Sequence, residues 1–96
     1  MTTKSVKTDI KSLAKKQPNL IHSAGQKVVS HTQRDQGEWV LHTVMLEGVD
    51  VPFKFRRKDR YQSLQGARVN LSYYPTKEQV AGMDFEIMNV VRIKRT

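Results

Sequence analysis

Two alternating apolar runs that flank the dipeptide Glu47-Gly48 constrain the fold of this chain more than any other feature. Glycine in a two-residue connection between such runs is typical of a β-hairpin. A two-residue turn at this point places His42 opposite Phe53 on one face of the hairpin. The sequence therefore predicts two antiparallel strands, over residues 38–46 and 49–57.

The two faces of this hairpin differ in composition. One face is apolar apart from a single histidine: Val40, His42, Val44, Leu46, Val49, Val51, Phe53 and Phe55. The opposite face mixes apolar, polar and charged side chains: Trp39, Leu41, Thr43, Met45, Asp50, Pro52, Lys54 and Arg56. We interpret the first face as core, with His42 bonded to backbone, and the second as a surface that needs a partner. An N-terminal helix, a second copy of the chain or an external ligand could each cover this mixed face.

Three further strands are predicted around the hairpin. They cover residues 26–33, 67–74 and 84–94. Residues 34–37 read as the turn into the hairpin, and Pro75 is expected to end the fourth strand. In the fifth strand the apolar alternation changes phase at Val90-Val91, as it does at a β-bulge.

Two short helical turns are also expected. Asp59 can cap a turn over residues 60–65, with Gly66 in the C-terminal cap position. The capping-box pattern of residues 76–79 predicts a single turn over residues 77–81. The predicted order of elements is therefore β-β-β-α-β-β.

This order resembles the OB-fold over residues 26–95. The phrase SLQGARVNLSYY, residues 63–74, is similar to the entry from the helix into strand four of many such barrels. The resemblance implies a small, mainly β, five-stranded antiparallel barrel of a class that binds oligonucleotides or oligosaccharides. An Sm-like or Src-homology-like barrel is the alternative, because it also fits five strands and one helical turn.

Residues 1–25 are expected to form a basic N-terminal arm ahead of a single barrel domain over residues 26–96. The segment 1–25 holds five lysines and one aspartate, and its pattern allows a short helix over residues 9–17. A helix of this length is marginal in isolation, so the segment is either a docked helix or a flexible arm. If residues 8–21 cover Trp39, the mixed face is not available to an external ligand.

Positive charge indicates the class of ligand. The chain has a net charge of +8, and five of the seven residues in the run KFRRKDR are cations. Basic surfaces attract polyanions through counterion release, and an aromatic ring beside cations can stack on a base. The sequence therefore predicts a nucleic-acid-binding domain of low sequence specificity, for RNA or single-stranded DNA. The predicted contact residues are Trp39, Lys54, Arg56, Arg57, Lys58, Arg60, Arg68 and Tyr74.

An alternative function stays open. The mixed face could bind a protein partner or form a homodimer, with the charge serving solubility or steering. A second basic group at Arg92, Lys94 and Arg95 need not join the first.

Other function classes are disfavoured by composition and spacing. The chain has no cysteine, and its three histidines have neither i,i+4 spacing nor cysteine partners, so we expect no metal site. It lacks a glycine-rich phosphate loop and any apolar run near the ~20 residues needed to span a membrane. We therefore expect a cytoplasmic, non-enzymatic protein without a cofactor.

Overall fold

The computed structural model describes residues 20–96, and the helix predicted over residues 9–17 lies outside them. The described residues form five strands and no helix. The strands are β1 (Ile21–Gln36), β2 (Trp39–Leu46), β3 (Phe53–Arg57), β4 (Arg68–Val80) and β5 (Met83–Arg95). β1 begins at Ile21, well before the predicted start of the first strand at Gln26.

The five strands form one sheet in the order β1-β2-β3-β5-β4, and the sheet closes because β1 also pairs with β4. β3 and β5 run parallel, whereas the other pairings are antiparallel. The prediction of a wholly antiparallel sheet is therefore wrong. Because β1 is antiparallel to both β2 and β4, their hairpin partners β3 and β5 must both run in the direction of β1.

The β2–β3 hairpin forms as predicted, but its connection is longer. β2 ends at Leu46 and β3 begins at Phe53, and His42 pairs with Phe55 rather than with Phe53. This register differs from the predicted one by two residues, and an even shift keeps every side chain on its predicted face. The Pro52 carbonyl accepts a hydrogen bond from Met88 N–H at 2.9 Å, so this part of the connection is bonded to β5.

Neither predicted helical turn forms. In the β3–β4 loop, Gly66 has a φ of 84° in a turn after the buried Leu64. The Gln33 side-chain amide accepts from Tyr61 N–H at 2.8 Å and donates to the Tyr61 carbonyl at 2.7 Å. These bonds satisfy both backbone groups of Tyr61 without a helical turn.

β4 continues through Pro75 instead of ending there. Tyr73 is the last β4 residue that pairs with β1, so among the strands of residues 20–96 β4 has only β5 as a partner beyond it. Proline lacks an N–H group and is tolerated at such an edge. Residues 76–79 pair with residues 84–87 of β5, and this cross-strand pairing overrides the local capping signal.

Bulges shape the long strands. The predicted bulge in β5 is confirmed, because Ser72 pairs with Arg92 and Tyr73 with Val90, which leaves Val91 unmatched. β1 has two register shifts, and they let its first half pair with β4 and its second half with β2. A bulged strand bends and twists more strongly, which helps a five-stranded sheet to close.

The core fills the inside of the closed sheet. Its buried apolar members are Val28, Val44, Leu46, Phe53, Phe55, Leu64, Val69, Leu71 and Val90. His42 has no exposed surface and is the one buried polar residue in the described part of the chain. The members of the predicted core face that lie in β2 and β3 are therefore buried, whereas Val49 and Val51 lie in the connection between these strands and are only partly buried.

Candidate nucleic-acid interface

The outer side of β2 and β3 is the mixed face predicted from the hairpin. Burial alternates along β2, so that Trp39, Leu41 and Thr43 point outward between buried neighbours. Lys54 and Arg56 lie beside them, because Thr43 pairs with Lys54 and Leu41 with Arg56. Trp39 is 43% exposed, which leaves much of its ring accessible.

This face forms a groove. Two depressions of about 430 and 200 Å³ adjoin there, and both are lined by Leu41 and Lys54. Arg34 of β1 lines the larger depression, and Glu78 and Ile87 of the β4–β5 hairpin line the smaller. The groove thus crosses the sheet from β1, over β2 and β3, to the β4–β5 hairpin.

A row of polar side chains crosses the floor of the groove. Register places Thr43 of β2 beside Lys54 of β3, Lys54 beside Asn89 of β5, and Asn89 beside Tyr74 of β4. Lys54 Nζ lies 2.7 Å from Glu78 Oε1, and Asn89 Nδ2 donates to the Tyr74 hydroxyl oxygen at 2.7 Å. The predicted contact residues Lys54 and Tyr74 therefore belong to one surface, on which Lys54 already has an anionic partner.

Three more of the predicted residues meet beside the groove, where β2 begins and β3 ends. Lys58 Nζ lies 5.3 Å from the centroid of the Trp39 ring. Arg56 is exposed, and its Nε donates to Gln36 Oε1 at 3.3 Å. An accessible indole beside two cations is an arrangement that can stack a base and hold the phosphate next to it.

Three predicted residues have protein partners elsewhere. The Arg57 guanidinium carbon lies 5.0 Å from the centroid of the Phe55 ring, on the core side of β3. Arg60 forms an ion pair with Asp35 at 3.0 Å. Arg68 donates to the Gly25 carbonyl at 2.9 Å, where β4 pairs with β1 rather than near the groove.

A pair of histidines fixes the β3–β4 loop, which carries Lys58. Leu64 N–H donates to His31 Nδ1 at 2.9 Å, so the proton of His31 is on Nε2. His31 Nε2 then donates to His42 Nδ1 at 2.9 Å, and His42 Nε2 donates to the Asp59 carbonyl at 3.2 Å. The prediction that His42 bonds to backbone is confirmed. The bonds accepted by His31 Nδ1 and His42 Nδ1 require neutral rings, because a further proton on either nitrogen would face another N–H.

The environment of the two rings favours the same neutral forms. Burial lowers the pKa of His31, and the neighbouring His42 lowers it further. Burial also lowers the pKa of His42, and the positive charges of Arg57 and Arg60 add to the shift while the Asp59 carbonyl opposes it. Near neutral pH the loop is therefore held by uncharged hydrogen bonds.

Sequence reasoning missed Glu78, Asn89 and His31 as parts of this region. Glu78 and Asn89 reach the groove only because β5 pairs with β3, which no local pattern indicates. The position of His31 could have been predicted from the sequence. A turn at Gly37 places it on the same face as His42, as its diagonal neighbour across the hairpin.

Comparison of the chain with protein-family models, with curated proteins and with solved structures finds no match. Residues 20–96 contain no group of three or more metal-binding side chains arranged to hold an ion. Within the same range no helix has the length and apolar character needed to cross a membrane.

Proposed function

We propose that this chain is a non-catalytic, OB-like barrel that binds single-stranded nucleic acid with little sequence preference. The closed five-stranded sheet supports this proposal, because OB-folds bind oligonucleotides on the face of strands two and three and on flanking loops. The observation that carries it is the exposed Trp39 ring beside Arg56 and Lys58, next to a groove on that face.

The chemistry of the groove suits a strand of any sequence. Arg56 and Lys58 would hold phosphates, and Trp39 would stack on a base, whose π-face is common to all four nucleotides. Tyr74 and Asn89 offer hydrogen-bonding groups further along the groove. Contacts of this kind give affinity and orientation but little discrimination between bases.

Fluorescence of Trp39, the only tryptophan, tests the proposal. Titration with a single-stranded oligonucleotide of about eight nucleotides, within the usual site size of an OB-fold, is expected to quench it. The double variant Arg56→Ala/Lys58→Ala should weaken binding and reduce the slope of log K against log salt by about 1.4, because each lost phosphate contact accounts for about 0.7.

The matched control is Arg92→Ala/Lys94→Ala, which removes two cations of β5 that line neither depression of the groove. Trp39 quenching by the short oligonucleotide should be unchanged in this variant. Equal weakening in both double variants would show that net charge, rather than the groove, determines binding. An absence of quenching in the wild-type protein would reject the proposed function.

A second candidate function, protein binding, is favoured by one observation. Val80, Met83 and Phe85 near the tip of the β4–β5 hairpin are 48, 61 and 46% exposed, and register places them on one face. Exposed apolar clusters of this kind often mark interfaces. This function predicts a mass that rises with protein concentration in sedimentation equilibrium, with no quenching of Trp39 by oligonucleotide.

A further inference from the structure

A second concave surface, here called the rear cavity, lies on the outer side of β1, β4 and β5. It has a volume of about 360 Å³. The polar side chains that line it are His22, Ser23, Asn70, Ser72, Arg92 and Lys94. The rear cavity is built on β1, β4 and β5, whereas Trp39 and Arg56 lie on β2 and β3.

Strand register builds the rear cavity from two rows. One row runs from His22 of β1 to Ser72 of β4 and Arg92 of β5, and the other places Asn70 beside Lys94. His22 Nδ1 and Ser72 Oγ are 2.7 Å apart. Asn70 Oδ1 accepts the Gly25 N–H at 2.9 Å, which orients the amide and leaves its Nδ2 group as a donor for a ligand.

The charge around this cavity has one sign. Its strand segments, residues 21–27, 68–74 and 90–95, contain five cations and no carboxylate side chain. The ion pairs within residues 20–96 are Lys54–Glu78 and Arg60–Asp35, so neither involves Arg92 or Lys94. Adjacent cations that have no ion-pair partner within the described part of the chain, and that face a concave surface with hydrogen-bond donors, are complementary to an anion.

The positive charge of the rear cavity favours some possible occupants over others. The first nineteen residues hold five lysines and one aspartate, so their net charge has the same sign as that of the rear cavity and is not complementary to it. A phosphodiester backbone has the complementary charge, and its oxygens accept hydrogen bonds from guanidinium, ammonium and amide donors. The volume of the cavity lies within the ~300–1,000 Å³ range of ligand pockets.

We propose that the rear cavity is a second nucleic-acid site, in which Arg92 and Lys94 hold backbone phosphates and Asn70 donates a hydrogen bond to the same strand. This inference rests on the proposed function for the identity of its ligand. Two sites centred on different strands of the closed sheet allow one chain to hold two strands, or two segments of one long strand.

Nuclear magnetic resonance of the full ¹⁵N-labelled chain tests this inference, with Trp39 fluorescence measured in parallel. The probe is the same oligonucleotide of about eight nucleotides. We expect saturable shifts of the backbone amides of Asn70 and Ser72 in the wild-type protein. Arg92→Ala/Lys94→Ala should abolish these shifts and leave Trp39 quenching intact, whereas Arg56→Ala/Lys58→Ala should do the reverse.

A strand of about 30 nucleotides, longer than the ~16 of the largest OB-fold sites, gives a second measurement. For this strand, Arg92→Ala/Lys94→Ala should reduce the salt slope by about 1.4, as expected for two lost phosphate contacts. Retention of the wild-type slope would overturn the second site.

The outcomes separate the two proposals. Quenching of Trp39 without shifts at Asn70 and Ser72 would overturn the rear site and leave the proposed function standing. Shifts at those amides without quenching would reject the groove as the binding face while supporting the rear site. Titration with inorganic pyrophosphate identifies the ligand class, since shifts with pyrophosphate but none with oligonucleotide would overturn a nucleic-acid site.

Discussion

Replacing Glu78 by glutamine should strengthen binding of single-stranded nucleic acid. Glu78 Oε1 lies 2.7 Å from Lys54 Nζ, so its carboxylate competes with a phosphate for that ammonium group. Glu78→Gln keeps the shape of the side chain and removes its charge. Lys54 then becomes available to a ligand in the groove that both residues line.

The size of the effect follows from the exposure of the pair. The side chains of Lys54 and Glu78 are 21 and 39% exposed, so solvent weakens their interaction to at most about 1 kcal/mol. Removing that competition raises the affinity up to about fivefold, because about 1.4 kcal/mol corresponds to a factor of ten. One additional phosphate contact should also steepen the salt slope by about 0.7.

Fluorescence titration of Trp39 at several salt concentrations measures both quantities. The matched control is Asp84→Asn, which removes one negative charge from the same hairpin. Asp84 is exposed, pairs with Gln79 and lies on the side of the hairpin opposite to Glu78. If both variants gain the same affinity, the gain reflects net charge alone, and the assignment of Lys54 to the binding surface is wrong.

Three further predictions concern stability, each measured by urea denaturation. Phe53→Ala should lower the free energy of unfolding by about 3–5 kcal/mol, since Phe53 is 2% exposed within the core, and a loss below about 1 kcal/mol would contradict that placement. Acidification should destabilise the fold through His31 and His42. Because their pKa values are lowered in the folded state, their contribution is complete above the ordinary value of 6.5 and is lost as the pH falls through the lowered values. Equal stability at about pH 7.5 and about pH 5 would contradict the neutral histidine pair. Ala81→Asn should stabilise the β4–β5 turn by about 1 kcal/mol, because Ala81 has a φ of 52° and asparagine tolerates this region better. An unchanged or lower midpoint would show that the turn is not strained.

The sequence by itself determined the features that depend on alternation. Side chains change face at every residue of a strand, so the apolar face of the hairpin and the outward position of Trp39 followed from the pattern alone. The same argument located the bulge at Val91, where the phase of the pattern changes. These assignments are correct although the observed register of the hairpin differs from the predicted one by two residues, because an even shift leaves each side chain on the same face.

Only the tertiary structure decided which strands meet. β4 passes through Pro75 at a point where, among residues 20–96, it pairs only with β5, and a strand edge tolerates the missing N–H group of proline. The pairing of β3 with β5 brings Glu78 and Asn89 to the groove, and the pairing of β1 with β4 creates the rear cavity. Such contacts join residues far apart in the chain, and their energy comes from closing the sheet around one core. Local propensity does not report on the closure of the sheet. The helical turn predicted over residues 60–65 is therefore a loop, and most of the turn predicted over residues 77–81 belongs to β4.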